Sequence, residues 1–189
     1  MARWESDSRG RLERAALALY SERGFEQTTV AEIARQAGLT ERTFFRHFAD
    51  KREVLFWGSD YLRELLVRTV ASAPAATTPM AAIAAALEAA ATTVFHESHE
   101  HSRQRQVVIA ANAGLQEREL SKLAALAAAM ADALRRRGVS DSTAILTAEA
   151  GIAVFKIAFE RWVDEDSQRD LLQLIRESFD ELKAAITGN

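Results

Sequence analysis

The chain has 189 residues, of which 48% are apolar and 27% charged, and it contains no cysteine. A chain of this length can bury a full core, and the lack of cysteine excludes a disulfide framework, a thiolate zinc site and a cysteine nucleophile. No charged-then-apolar signal peptide opens the sequence, and no apolar run approaches the ~18 residues of a membrane span. These features predict a soluble cytoplasmic protein with no membrane association.

The net charge of −3 means that any binding to nucleic acid has to depend on local clusters of basic residues. The sequence has only 2 Pro and 8 Gly, and its apolar residues recur with helical spacing rather than in the alternating pattern of strands. Alanine, the strongest helix former, is abundant. We therefore predict an all-α protein with about nine helices.

The first fifty residues predict a small N-terminal domain. Residues 1–8 show no periodicity and are expected to form a loose arm, after which Gly10–Arg23 has the apolar stripe of an amphipathic helix. Thr29 and Glu32 form a capping-box pattern that begins a second helix. Gly38 ends that helix and Thr40 begins a third, which is the arrangement of a helix-turn-helix.

Residues 51–189 are predicted to form a second, larger helical domain. A long helix from Lys51 to about Ala71 links the two domains, and the small-residue segment at 72–79 ends it. Five further helices are predicted at Met80–Val94, 102–112, Leu120–Arg137, Ser140–Asp164 and Leu171–Leu182.

The third helix has the side chains that a DNA-reading helix needs. Phe44 and Phe48 are spaced to face the first two helices, which leaves Arg42 and Arg46 on the outside, followed by Lys51. Arginine and lysine donate hydrogen bonds to base edges and phosphates in the major groove. The alternative is that a short basic helix is only a solvated surface.

About forty consecutive positions, from Leu12 to Lys51, resemble the DNA-binding domain of the TetR family of transcriptional regulators. The segments that carry this resemblance are Ala15-Ala16-Leu17, Leu19-Tyr20-Ser21-Glu22-Arg23-Gly24-Phe25, Thr28-Thr29-Val30, Ile33-Ala34, Ala37-Gly38-Leu39-Thr40, Thr43-Phe44-Phe45 and His47-Phe48. The rest of the chain resembles the family only in having a five-helix regulatory part of suitable length.

The resemblance implies that several residues approach DNA: Thr40, Thr43, Phe45, His47 and Lys51, together with Thr29 as the cap of a helix whose N-terminus meets a phosphate. Phe45 stands where the family often has Tyr, so it offers stacking or contact with a thymine methyl rather than a hydroxyl. Glu41 and Arg42 stand where the family often has Lys-Gly. We expect Arg42, with Phe45 and Arg46, to read bases. Glu41 is expected to repel phosphate unless it caps its helix or accepts a hydrogen bond from a cytosine amine.

The last two helices each carry two apolar stripes, so each should be buried on two sides. The stripe expected at a dimer interface consists of Ile145, Ile152, Phe159, Leu171, Ile175 and Leu182. A second stripe includes Leu146 and Ile157 on one helix and Phe179 and Ile186 on the other. The resemblance implies that these helices pair across a two-fold axis in a homodimer. The alternative is that both helices are central in the monomer.

The resemblance also implies a small apolar effector that binds between the regulatory helices and moves the linking helix. The residues proposed to line its pocket, chosen by size and position, are Trp57, Tyr61, Phe95, Asn112, Phe155 and Trp162. Large apolar residues of this kind can equally belong to the core.

No enzymatic or cofactor-binding motif is apparent. His96, His99 and His101, with Glu97 and Glu100, are interpreted as a solvated helix junction rather than a metal site, because no second ligand group stands out. The sequence thus predicts a regulator that binds a palindromic double-stranded operator as a homodimer and, as a repressor, releases it when an effector binds. The alternative is a helical ligand-binding or protein-interaction bundle without specific DNA recognition.

Overall fold

The computed structural model describes residues 2–96, 98–164 and 169–188, with side chains described from Ser8 onward. Within these residues the chain forms nine α-helices and no strand, which confirms the predicted all-α class. The helices are α1 (Ala2–Arg23), α2 (Val30–Gln36), α3 (Glu41–His47), α4 (Ser59–Ser72), α5 (Pro79–Thr93), α6 (His99–Ala110), α7 (Ala113–Arg136), α8 (Asp141–Asp164) and α9 (Leu171–Thr187). A short 3-10 helix, Glu53–Phe56, precedes α4.

The residue contacts divide the chain into two compact units. Unit 1 consists of the residues up to Ser59 together with Gln104–Glu119, and unit 2 consists of the other residues. The boundary predicted at residue 50 from the sequence therefore differs from this division. Unit 1 is discontinuous, because it recruits the end of α6 and the beginning of α7.

The core of unit 1 is built from the helix-turn-helix residues and from this later segment. Leu12 of α1 and Phe44 of α3 are fully buried there. Val108, Ile109 and Leu115 belong to the same apolar cluster, and the last two are also fully buried. Because burial of large side chains dominates folding energetics, Gln104–Glu119 contributes directly to the stability of unit 1.

A half-buried arginine of α6 holds this later segment in place. Arg105 donates from Nε to the carbonyl of Leu55 at 2.8 Å and from Nη1 to Glu119 at 3.3 Å. Its guanidinium carbon lies 4.9 Å from the ring centroid of Phe56. Burial lowers the pKa of Arg105, and the charge and hydrogen bond of Glu119, followed by the charge of Glu13, partly offset that effect.

Two further contacts within unit 1 join the same segment to the N-terminal part of the chain. Arg118 donates to the carboxylate of Glu53, and Asn112 donates to Glu26 at 2.9 Å. The side-chain oxygen of Asn112 also accepts from the amide of Leu115 at 3.1 Å, so Asn112 acts as a cap at the start of α7.

The N-terminal arm predicted from the sequence is helical, because α1 begins at Ala2. The sequence before Gly10 has no apolar periodicity and therefore carries no signal for a helix. Once a helix is nucleated, however, each additional residue gains a hydrogen bond, and extension does not require an amphipathic pattern.

The long linking helix predicted from Lys51 is interrupted. Asp50 accepts hydrogen bonds from the amides of Arg52 and Glu53, as the predicted start signal requires, but the helix that follows is the short 3-10 helix. The α-helix begins only at Ser59, directly after Gly58. Glycine lowers helix stability by about 1 kcal/mol relative to alanine, which favours an interruption at this position although the apolar periodicity continues across it.

The five helices predicted after residue 79 are all present as α5 to α9, although α7 begins several residues earlier than predicted. The end of α6 and the beginning of α7 belong to unit 1, and the rest belongs to unit 2. α5, α8 and α9 form the central contacts of unit 2. α8 lies close to α5 at Gly151, where a Cβ atom would lie 2.3 Å from Cγ2 of Ile83. Gly151 therefore allows the two helices to pack directly against each other.

α8 is long and apolar enough to cross a membrane by length and composition, the one such helix among the described residues. Glu149 and Lys156 interrupt the apolar run of α8, so no uninterrupted run of membrane-spanning length is visible in the sequence. Half of the apolar window is buried inside the structure, and α8 supplies many residues of the unit 2 core. This burial is typical of the core helix of a globular protein.

Candidate nucleic-acid interface

α3 is a short helix with a well-defined start. The side chain of Thr40 accepts from the amide of Thr43 at 3.2 Å, and the two threonine hydroxyls are 3.0 Å apart. Arg46 and His47 occupy the last turn, where positive charge favours the helix dipole. The local sequence therefore provides the cap at the start of α3 and basic residues at its end.

The packing of α3 determines which of its side chains face outward. Phe44 is 0% exposed and stacks at 5.4 Å against buried Phe48, as the sequence predicted. Phe45 is 55% exposed, and Arg42 and Arg46 are exposed beside it. Among the described residues Arg42 has no ion-pair partner, so its guanidinium is available to a ligand.

An unpredicted arginine holds the turn between α2 and α3. Arg11 of α1 donates to the carbonyls of Ala37 and Gly38. Gly38 has a φ of +66°, which favours glycine, and a Cβ atom there would lie 2.7 Å from the Arg11 guanidinium. Arg11 thereby positions the turn that carries α3. The only signal in the sequence was a basic residue next to the apolar stripe of α1.

The N-terminus of α2 already holds an anion. The amide and hydroxyl of Thr29 donate to the carboxylate of Glu32 at 2.9 Å and 2.8 Å, and the hydroxyl accepts from the Glu32 amide. Hydrogen bonds from the Thr29 backbone, then from its side chain, lower the pKa of Glu32. The capping box is confirmed. In this conformation both donors of Thr29 are engaged by Glu32 rather than free for a phosphate.

Lys51 is engaged within unit 1 as well. Its ammonium donates to the carbonyls of Phe25, Glu26 and Thr28 at 2.9, 3.3 and 3.1 Å, and it lies 4.3 Å from the Phe25 ring centroid. An ammonium has three protons, so these contacts leave none for a phosphate. In this conformation Lys51 stabilises the loop between α1 and α2, and its role as a phosphate contact stays a prediction. The spacing of residues could not show this fold-back.

Three of the six predicted pocket residues lie together in unit 2. Phe95, Phe155 and Trp162 join Phe159 in a cluster of rings whose centroids are 5.6–6.1 Å apart. His99 borders this cluster, with its Nε2 atom 2.9 Å from the carbonyl oxygen of Trp162.

The other three predicted pocket residues do not join this cluster. Trp57 and Tyr61 are largely exposed. Asn112 belongs to unit 1, where it caps α7.

Four of the six predicted dimer residues face the core of unit 2. Leu171 and Ile175 are at most 1% exposed, and Ile152 and Phe159 are also buried, so these four are occupied by packing within the chain and their role in a dimer stays a prediction. Of the six, Ile145 is exposed and Leu182 is half-buried. The other large apolar residues of these helices that are exposed are Leu146 and Ile157 on α8 and Ile186 on α9. Periodicity identified both stripes but could not show which one packs inside the chain.

The described part of the histidine-rich junction shows no metal site. No group of three or more His, Cys, Asp or Glu residues in the described part of the chain could hold a metal ion, and Glu97 lies outside that part.

α3 packs one face against the core, follows α2 after a glycine turn and carries exposed arginines on its outer face. This arrangement defines a helix-turn-helix DNA-binding protein. A model of bacterial regulatory proteins of the tetR family matches residues 13–56, and a model of the MftR C-terminal domain matches residues 77–187. The chain belongs to the TetR family of transcriptional regulators.

A curated relative supports this assignment. The HTH-type transcriptional regulator TcmR of Streptomyces glaucescens is 38% identical over 82 residues, which are 43% of this chain. The match spans only 36% of the length of TcmR.

Solved structures share the fold. FadR of Thermus thermophilus, a repressor in complex with lauroyl-CoA, is 24% identical with a TM-score of 0.53, covering 93% of each chain. FadR of Bacillus subtilis, in complex with stearoyl-CoA, is 17% identical with a TM-score of 0.61, covering 91% of this chain and 96% of that one. SmeT, the repressor of a multidrug efflux pump of Stenotrophomonas maltophilia, is 20% identical with a TM-score of 0.57, covering 95% and 91%.

Proposed function

We propose that the protein is a cytoplasmic repressor that binds a near-palindromic operator as a homodimer and releases it when a small apolar effector binds. The observation that carries this proposal is the free, exposed Arg42 on a recognition helix whose orientation is fixed by buried Phe44. Membership of the TetR family supports the regulatory role.

Within this proposal the side chains of α3 divide into two groups. Arg42 reads a base, because its planar fork matches the O6 and N7 acceptors of guanine, and exposed Phe45 contacts a thymine methyl or an adjacent sugar. Arg46 assists Arg42 in reading bases, whereas Thr43 and His47 contact phosphates and fix the position of the helix. Lys51 and Thr29 act mainly by holding the loop and α2 in place.

We expect Arg42→Ala to relax base preference at one position in each half-site. A good bidentate contact contributes about 1–3 kcal/mol of discrimination, so the preference for the favoured base should fall at least several-fold. The measurement is selection of bound fragments from random duplex DNA, followed by titration of operators that differ at that position.

Arg14→Ala is the matched control, because Arg14 is an exposed arginine on α1 and its loss changes the net charge by the same amount as Arg42→Ala. It should leave the selected sequence unchanged. If the intact protein enriches no sequence at moderate salt, the chain is a helical interaction bundle instead. If Arg42→Ala selects the same bases with the same strength, Arg42 is not a base-reading residue.

The dimer would form through the outer face of α8 and the end of α9. Leu146, Ala153 and Ile157 are spaced to lie on one side of α8, and all three are exposed. Ile186 on α9 is 75% exposed. Large exposed apolar side chains in a row are typical of an interface, and a two-fold dimer fits an operator with two half-sites.

We expect Ile157→Glu to shift the protein from dimer to monomer in analytical ultracentrifugation and to weaken operator binding strongly. The carboxylate would be buried without a partner at the interface, which opposes association. Val107→Glu makes the same change at an exposed apolar residue of α6 and should leave the dimer intact. Unchanged association of the Ile157→Glu variant would place the interface elsewhere.

The aromatic cluster of unit 2 is the best candidate for effector binding. Phe95 is half-buried while Phe155, Phe159 and Trp162 are buried, so the cluster offers an apolar wall with one accessible ring. The two FadR proteins hold long acyl-CoA molecules and SmeT controls a multidrug pump, which supports an apolar effector. The effector can release DNA only by binding one conformation of the protein more tightly than the other.

A further inference from the structure

Glu41 is a carboxylate without a partner on the recognition helix. It is exposed at the first position of α3, and among the described residues no hydrogen bond or ion pair involves its side chain. The helix does not need Glu41 as a cap, because Thr40 provides the cap through the amide of Thr43. In α2, by contrast, Glu32 is fully engaged in the capping box.

The lack of a partner sets Glu41 apart from the neighbouring acidic residues. Every other acidic residue from Glu22 to Glu53 has a partner: Glu22 and Glu32 with Arg23, Glu26 with Asn112, Asp50 with Arg52, and Glu53 with Arg118. The one free carboxylate of this region is thus on the helix that faces DNA. A negative charge there opposes binding to the phosphate backbone, and a hydrogen bond to a base would offset this repulsion.

The chemistry of the major groove restricts what that contact can be. An ionised carboxylate only accepts hydrogen bonds. The donors in the groove are the N4 amine of cytosine and the N6 amine of adenine, and the adenine amine lies beside the N7 acceptor, which repels a carboxylate. Guanine and thymine present only acceptors and a methyl group there. Cytosine is therefore the base that a free glutamate favours.

We propose that Glu41 is a specificity-determining residue that accepts a hydrogen bond from the N4 amine of a cytosine in each half-site. This inference rests on the proposed use of α3 as the recognition helix. Glu41 acts in two ways: it stabilises the complex with cytosine and it penalises guanine or thymine at the same position. Together with Arg42, it presents an acceptor next to a donor, a combination suited to a G·C-containing half-site.

The test compares the intact protein with Glu41→Ala and Glu41→Asp by fragment selection and by titration of matched operators. The intact protein should select cytosine at one position per half-site and lose roughly tenfold in affinity when that cytosine is replaced by thymine. Glu41→Ala should bind the cytosine and thymine operators with equal affinity, which abolishes the cytosine-to-thymine affinity ratio. Glu41→Asp keeps the charge at the helix N-terminus but shortens the reach, so it should also lose most of the ratio.

A modified operator tests the amine directly. Replacing the selected cytosine by pyrimidin-2-one removes the N4 amine. The loss of operator affinity caused by this replacement should be about tenfold larger for the intact protein than for the Glu41→Ala variant. Glu22→Ala, at an exposed acid of α1, is the control for the change in charge and should behave as the intact protein.

The outcomes separate this inference from the proposed function. If the intact protein selects a half-site but Glu41→Ala selects the same one with equal strength, Glu41 does not read a base, whereas the regulator assignment stands. A uniform gain in affinity of Glu41→Ala for all sequences, with Glu41→Asp unchanged, would show simple phosphate repulsion and overturn the inference. If the intact protein selects no sequence, both the proposed function and the inference fail.

Discussion

Arg105→Met should lower the free energy of unfolding of unit 1 by about 2–4 kcal/mol, because it removes the positive partner of a partly buried carboxylate. Arg105 donates to Glu119 at 3.3 Å and to the carbonyl of Leu55 at 2.8 Å, and Glu13 also acts on it electrostatically. Methionine fills a similar volume but neutralises neither carboxylate. The estimate is below that for a fully buried pair, since the Arg105 side chain is 19% exposed.

The consequence of this change should extend to DNA binding. Arg105 is distant in sequence from the helix-turn-helix, yet its contacts hold Gln104–Glu119 against the residues that precede α4. Loss of the Arg105 contacts should therefore lower the temperature at which operator binding is lost. Urea unfolding followed by far-UV circular dichroism gives the stability, and operator titration at increasing temperature gives the binding.

Two variants make this prediction specific. Arg14→Met removes an exposed arginine of α1 and should change stability by less than about 0.5 kcal/mol. The double variant Arg105→Met/Glu119→Leu should be less destabilised than the sum of the single variants, because it removes the partner carboxylate together with the arginine. If Arg105→Met and Arg14→Met lower the free energy of unfolding equally, the contacts of Arg105 do not stabilise unit 1.

The parts of the structure that could be predicted from the sequence are those encoded locally. The capping box of Thr29 and Glu32 and the cap at Thr40 depend on residues three positions apart, and both are present. The inward orientation of Phe44 follows from helical spacing and is also present. Together with Gly38, these local signals are sufficient to predict the helix-turn-helix from the amino-acid sequence.

The features that could not be predicted depend on contacts between distant residues. The carbonyl of Leu55 lies fifty positions from Arg105, and no pattern in the sequence joins them. Lys51 looked like a free cation because its carbonyl partners, including Phe25, reach it only through the fold. The apolar stripes of α8 were both visible, but only packing shows that Ile152 faces the core and Ile157 faces outward.

The second large effect is expected at a position that the sequence analysis did not single out. Gly151→Val should lower the free energy of unfolding of unit 2 by about 3 kcal/mol, at the upper end of the cost of overpacking a core. A Cβ atom at Gly151 would lie 2.3 Å from Cγ2 of Ile83 and 3.9 Å from Cδ1 of Leu87. Ile83 is fully buried, so its side chain can move aside only by disturbing the packing around it.

Compensation at the contacting residue tests this explanation. Ile83→Ala removes the atom that clashes, so the double variant Gly151→Val/Ile83→Ala should be more stable than the two single effects added together. Ala125→Val adds methyl groups at an exposed position of α7 in the same unit and should cost less than about 0.5 kcal/mol. Additive losses in the double variant would mean that α5 and α8 do not meet at Gly151. A double variant that is more stable than the sum would instead show that the close approach of α5 and α8 limits the size of the residue at position 151. The same contact would then set the distance between α5 and α8, the helix that carries most of the proposed dimer face.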